Sequence, residues 1–438
     1  MSRTSVAGTP EGPLLNAIQP PHAAAPAVPA LPALGDLLAP RLEHLVALRR
    51  DLHAHPETAH VEHRTTGVVA DALRAAGLSP QLLPGTGLVC DVGEGERALA
   101  LRADLDALPL ADETSSPFAS TVPGVAHACG HDVHTAVVLG AGLVLADLHR
   151  AGGAAALPGR VRLVFQPAEE VTPGGSIGVV ESGALEGVER ILAVHCDPHT
   201  DVGHVGLRVG PITSAFDKVL VRLRGPGGHT SRPHLTGDLV FALAKVVTEV
   251  PAVLSRRLDP RAGVSLVWGR ISAGGAANAI PRVGVVEGTL RCVRADAWAA
   301  AGDLLTELVE DAVRPYGLTA EVEHVRGVPP VVNEAVSTGL LQDAADAQVG
   351  PGAAVPTDQS LGGEDFAWYL EHVPGAMARL GTRTPGGPTH DLHRGDFEPD
   401  ERAIAVGVRL LAAAAVAGLQ RPEPPVPPDA AAVPVADR

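Results

Sequence analysis

A chain of 438 residues, 45% hydrophobic and 19% charged, is long enough for about two to three globular domains with a large core. Its formal net charge of −16 comes without a basic patch, which argues against nucleic acid and anionic membrane surfaces as partners. Only 3% of the residues are aromatic, so Ala, Val and Leu must fill the core and the helices must pack closely.

Residues 1–40 are rich in Ala and Pro and read as a disordered leader rather than a secretory segment; 421–438 read as a similar tail. Leu42, Leu45, Leu48 and Leu52 predict a helix over 42–55. RALALR at 97–102 predicts a strand. A strong helix follows over 132–148, with Asp132 as its N-cap. The longest apolar stretch, 136–146, lies inside it, is broken by glycines and falls short of the ~18 residues that span a bilayer. VRLVF at 161–165 and ILAV at 191–194 predict buried strands. This alternation points to an α/β layer fold over 41–211, with a mostly parallel central sheet flanked by helices.

From 212 the order changes. Strands at 218–224, 264–271, 283–293 and 320–326, with helices at 238–257 and 296–313, follow the order β-α-β-β-α-β. That is a ferredoxin-like α+β insertion over 212–327. The first fold resumes over 328–420 and closes with a helix in 399–419. Cys90, Cys129, Cys196 and Cys292 are too scattered for a disulfide framework. With no secretory pattern, this predicts a cytoplasmic protein.

Ligands of open α/β sheets bind beyond the carboxyl ends of the strands. After RALALR stand Asp104 and Asp106; after VRLVF, Glu169 and Glu170; after ILAV, His195, Cys196 and Asp197. A fourth group, His127, Cys129, His131 and His134, falls at the start of the 132–148 helix. Imidazole, thiolate and carboxylate suit zinc and similar divalent ions, and such a mixed set can hold one or two of them. Each residue alone has a plainer reading. Cys129 can be a small buried hydrophobe, the glutamates helix-start acids and the aspartates turn residues. Their joint placement favours a metal site. The chemical rival is a cysteine amidase, with a Cys129 thiolate paired with His131 or His195, but it leaves the glutamates without a role.

Further segments make the pattern specific: RRDLHAHPE at 49–57, LRADLDALPL at 101–110, HACGHDVHTA at 127–136, VFQPAEE at 164–170, GPGGHTSRPH at 225–234, NAIP at 278–281, GTLR at 288–291, GGEDF at 362–366 and DLHRGDF at 391–397. Over about 42–411 the sequence resembles the aminoacylase/carboxypeptidase superfamily of dinuclear metallopeptidases. Within it, the chain looks closest to the amidohydrolase branch of hippurate hydrolases, N-acyl-amino-acid amidohydrolases and indoleacetyl-amino-acid hydrolases.

The resemblance implies a hydrolase of N-acyl amino acids or related small amides. It implies two divalent ions (Zn, Mn, Co or Ni) held by Cys129, His131, Glu170, His195 and His393. Glu169 would be the general base of a metal-activated water, and Asp104 a carboxylate that orients a ligand. Related branches carry a metal-binding His where Arg102 stands and a bridging aspartate where Cys129 stands. The resemblance implies a zinc-peptidase-like catalytic domain formed by 41–211 and 328–420, and the insertion would be a lid and dimerisation domain. Its His229 would stabilise the oxyanion, in a homodimer across the interface, and Asn278 and Arg291 would contact the substrate carboxylate. Val133 and the pair Arg394-Gly395 depart from the usual motifs without removing an expected ligand. A non-catalytic binding protein on the same scaffold is the alternative outside enzymology; a missing ligand or base would have marked it.

Overall fold

The computed structural model describes residues 34–421. The expected disorder of 1–33 and 422–438 lies outside those residues. The leader boundary at 40 moves forward, because Leu34–Leu38 is a helix whose Leu34 and Leu38 enter the main core. Two leucines four apart give this Pro-rich stretch an apolar face to bury.

An eight-stranded sheet forms the catalytic body, in the order Gln81–Leu82, Leu88–Gly93, Arg160–Gln166, Ala98–Asp104, Val188–Asp201, Gly375–Arg383, Val205–Leu207, Ala354–Pro356. Its four central strands run parallel. Antiparallel partners flank them on either side, Leu88–Gly93 and Val205–Leu207, so the whole sheet is mixed. Every residue of Ala98–Asp104 is buried, as expected of a strand covered on both faces. The strand expected at 191–194 extends over Val188–Asp201 and carries His195 near its middle.

The helix expected over 132–148 runs from His131 to Ala156. Asp132 is not its N-cap. Gly130 takes that place with φ 86°, and the Asp132 carboxylate turns inward to Arg49 Nε at 2.7 Å and His53 Nδ1 at 2.9 Å. A Cβ at position 130 would lie 2.7 Å from Cys196 Sγ, so only glycine fits the turn. The closing helix, Arg402–Gln420, packs against this one, with Val408 on Gly140. By length and composition both helices could cross a membrane, but their apolar windows are 94% and 78% buried in the core.

The insertion has its own four-stranded antiparallel sheet, in the order Ser265–Ala273, Val283–Cys292, Ala215–Arg224, Thr319–Val328. Ala215–Arg224 alternates between buried and accessible residues. Its Val219, Val221 and Leu223 join Leu243 and Val246 of helix Leu239–Arg257 and Leu305 and Val309 of helix Ala295–Val313 in a second core. One face of this sheet is thus packed and the other free.

Candidate metal centre

The parallel strands deliver their chemistry to one edge. Asp104 ends a strand and Asp106 follows it; Glu169 and Glu170 follow Gln166. His131 opens the long helix and His393 lies in the loop before the closing helix, at φ 60°. A cavity of about 380 Å³ collects Cys129, Glu169, Glu170, His195, Arg291 and His393.

Hydrogen bonds aim these side chains. His131 Nδ1 donates to the carbonyl of Asp106 at 2.8 Å, which leaves Nε2 as a lone pair facing inward. That Nε2 is buried without a hydrogen-bond partner, 3.7 Å from Glu170 Oε1 and 3.9 Å from Glu169 Oε2. Glu170 Oε1 receives no well-aligned hydrogen bond either; His393 Nε2 stands 3.3 Å away. His195 Nδ1 donates to the Cys196 carbonyl at 2.8 Å, which turns its Nε2 to within 3.6 Å of Cys129 Sγ. Buried polar atoms are nearly always paired, so unpaired acceptors converging on one point fit a missing cation.

Donor atoms within 4.8 Å of one another form several groups, and their other partners discriminate among them. In the group Asp104, His131 and His134, the His134 Nε2 already accepts the Cys196 N–H at 2.8 Å and Nδ1 donates to Asp104 at 2.7 Å. Asp104 also accepts from Arg102 at 2.7 Å. In the group Glu169, Glu364 and Asp365, Arg102 is 3.1 Å from Glu364 and 2.9 Å from Asp365. One guanidinium thus offsets part of the charge of three carboxylates, and Glu364 Oε2 stays buried without a partner. The groups with no arginine among them are Cys129 with His131 and His195, Cys129 with Glu170 and His393, and His131 with both glutamates.

The electrostatics agree. Burial opposes a proton on His131, yet Asp104, Asp106 and Glu170 outweigh it and hold the imidazole up at about 10. A field that strong favours a cation at this place. Burial, with Glu170 and Glu169, pushes the Cys129 thiol well above its ordinary value. Burial likewise keeps His195 neutral. A thiolate–imidazolium pair of the kind that activates a cysteine nucleophile is thus disfavoured. Burial and the carboxylates of Glu364 and Glu170 hold Glu169 well above the usual carboxylate range.

Of the residues expected from the lid, Arg291 lines the cavity, and its guanidinium donates to the Leu361 carbonyl. His229 and Asn278 do not line it. Both are exposed on the small ribbon Gly228–His229 and Ala279–Ile280, away from the converging ligands.

Several residues support the site through the backbone. Asp106, a strand-end candidate whose plainer reading was a turn residue, accepts the Glu169 and Glu170 N–H groups, one on each carboxylate oxygen, both at 2.9 Å. Buried Glu62 accepts the Ala168 N–H at 2.8 Å and the Thr86 hydroxyl at 2.6 Å, bracing the turn into Glu169, where Ala168 has φ 57°. The GGEDF segment was the signal for Glu364 and Asp365. A larger cavity of about 560 Å³ beside Arg50, Arg383 and Arg402 offers no comparable set. Those arginines are paired with Glu401, Asp201 and Asp400.

The profile of peptidase family M20/M25/M40 matches residues 100–417. A Rhodococcus jostii protein named for glutamate–cysteine ligase 2-3 is 53% identical over 84% of this chain, but the chain spans only 46% of that protein's length. The N-acetyl-L-cysteine deacetylase of Bacillus subtilis is 37% identical over 83% of this chain and 85% of its own. The crystal structure of the Bacillus subtilis YXEP protein, described as a dinuclear metal binding peptidase from the M20 family, is 32% identical. It superposes with a TM-score of 0.76 over 87% of this chain and 99% of that one. The chain belongs to peptidase family M20/M25/M40 and is a metallo-amidohydrolase.

Proposed function

We propose that the enzyme hydrolyses N-acyl amino acids, with deacylation of small acetylated amino acids as its simplest reaction. The observation that carries this reading is the convergence of the unpaired His131 Nε2 and Glu170 Oε1 with Cys129, His195 and His393 beside a carboxyl group suited to proton transfer. The deacetylase relative supports the substrate class.

On this reading Cys129, His131, Glu170, His195 and His393 hold two divalent ions, zinc, manganese, cobalt or nickel. Bound there, the ions supply Lewis acidity that polarises the amide carbonyl and brings the pKa of water to about 7. Glu169 takes the proton of the attacking water and passes it to the leaving amine nitrogen. Burial and the neighbouring carboxylates raise its pKa, which favours the proton-holding form that serves the leaving amine, and attack by water needs no acyl-enzyme. Asp104 orients the cluster through His134 and Arg102. Arg291, on the cavity wall, takes the substrate carboxylate, and Asn278, exposed and outside the cavity, would serve the substrate carboxylate of a second copy. His229, exposed and outside the cavity, serves the oxyanion of a second copy, which makes the working form a homodimer joined through the lid. Val267 and Ile271, exposed on the outer lid strand, give that pairing an apolar edge. All four cysteines are free and buried, which supports a cytoplasmic setting.

Glu169→Gln tests the reading. It should keep the metal content of the wild type and lose at least about 1,000-fold in kcat on N-acetyl amino acids. Wild-type turnover by that variant, or a thioester trapped on Cys129, would refute the mechanism.

A further inference from the structure

Arg379 is a buried cation without a bound partner among the described residues. It lies in strand Gly375–Arg383, is 9% exposed, and faces the cavity that holds Cys129, Glu169, Glu170 and His195. In the parallel register it stands directly opposite His195, so both side chains leave the sheet on the same face, one strand spacing apart. The other buried arginines of the body are bound: Arg102 grips Asp104, Glu364 and Asp365, Arg49 grips Asp132, and Arg190 grips Glu334. By contrast, Glu364, Asp197 and Cys129 act on Arg379 only through space, and burial pulls its pKa down. A guanidinium carries five donors in a fork that fits a carboxylate, and burying it unpaired is costly. Such a group on a cavity wall is accounted for when a ligand supplies the anion.

We infer that Arg379 is a substrate-binding residue that selects amides bearing a second carboxylate. Arg291 lines the same cavity from the lid. The two arginines together suit a dianionic substrate, with one carboxylate on the amino-acid α-carbon and the other on the amino-acid side chain or on the acyl group. This rests on the proposed N-acyl amino acid activity and narrows it.

The test compares kcat/KM of the metal-loaded wild type, Arg379→Met and Arg379→Lys. The substrates are N-acetylmethionine, N-acetylglutamate and N-succinylmethionine; the last two place the extra carboxylate on opposite halves of the amide. The wild type should prefer one acidic substrate. In Arg379→Met the ratio of acidic to neutral kcat/KM should fall about 10- to 100-fold, mainly through KM, the range expected for one lost charge-assisted contact. Arg379→Lys should restore part of that ratio. A ratio unchanged in Arg379→Met would reduce Arg379 to a counter-charge for the acidic cluster and overturn the inference. Calorimetric titration of the same proteins with succinate and acetate gives a readout independent of turnover. Tighter succinate binding lost in Arg379→Met supports the inference even if none of these amides is hydrolysed, an outcome that counts only against the proposed activity. Equal succinate affinity in both proteins overturns it.

Discussion

Replacing Asp106 probes a residue that ties the proposed general base Glu169, the proposed metal ligand Glu170 and His131 together. Its two carboxylate oxygens each accept a backbone N–H, from Glu169 and from Glu170, both at 2.9 Å, and its carbonyl fixes His131 Nδ1. Asp106 is 1% exposed, so water does not compete for these bonds. A hydrogen bond to a charged acceptor contributes about 1.5–3 kcal/mol, so Asp106→Ala removes about 3–6 kcal/mol of ordering from the Ala168–Glu169–Glu170 turn. It also leaves two N–H groups unpaired. Asp106→Asn keeps one acceptor oxygen and turns an amide N–H₂ toward the other N–H, so its loss is smaller. A displacement of about 1 Å at the reacting groups costs about 100-fold in rate. The expected order of kcat is wild type, Asp106→Asn, Asp106→Ala, the last down at least about 100-fold. Bound metal, measured by mass spectrometry on dialysed protein, should fall in the same order. An Asp106→Ala protein with wild-type metal content and kcat within about threefold would show that the clamp does not position the site.

Two further outcomes follow from the buried charges. Arg102→Met should destabilise the protein by about 3–5 kcal/mol, seen as a lower urea midpoint, because it strands Asp104, Glu364 and Asp365 without their cation; an unchanged midpoint contradicts the pairing. His127 is 2% exposed, neither ring nitrogen has a partner, and burial lowers its pKa to about 4. Its unfolded value is about 6.5, so the neutral ring's contribution is complete above that pH and is lost as pH falls through 6.5 to 4, about 3 kcal/mol in all. His127→Leu should therefore flatten the acid limb of stability against pH, and parallel limbs for the two proteins would rule the effect out.

The sequence carried the fold well where burial has a period. The leucines of 42–52 and the alternation in 283–293 became the helix Leu42–Ala54 and the strand Val283–Cys292. It carried less at element starts. Asp132 has the chemistry of a cap, but Arg49, distant in the chain, claims its carboxylate, and a glycine that clears Cys196 starts the helix instead. The candidate ligand cluster was legible because its residue types are concentrated at strand ends, Asp106 among them. The support role was not, since Asp106 and Glu62 act through backbone N–H groups of residues far along the chain, and no local spacing encodes such a partner. Arg379 was hidden for a different reason. One Arg in a buried strand reads as an interruption, and only the register with His195 shows what it faces.

On the proposed ligand set, the arrangement also gives a cysteine a reason to stand at the centre of the site. Arg102 is a permanent cation that pairs with Asp104, Glu364 and Asp365. Its charge opposes a second ion among those carboxylates. Near His131, Asp104 thus shares its charge with Arg102, and of the two glutamates Glu169 is held toward its protonated form. Cys129, buried between His195 and these glutamates, is neutral on its own because its pKa is pushed up. Bound to a divalent ion it would release its proton and supply the missing negative charge. On the proposed ligand set, metal loading and ionisation of Cys129 are therefore one linked event, and Arg102 favours that link by placing a fixed positive charge among the alternative carboxylates.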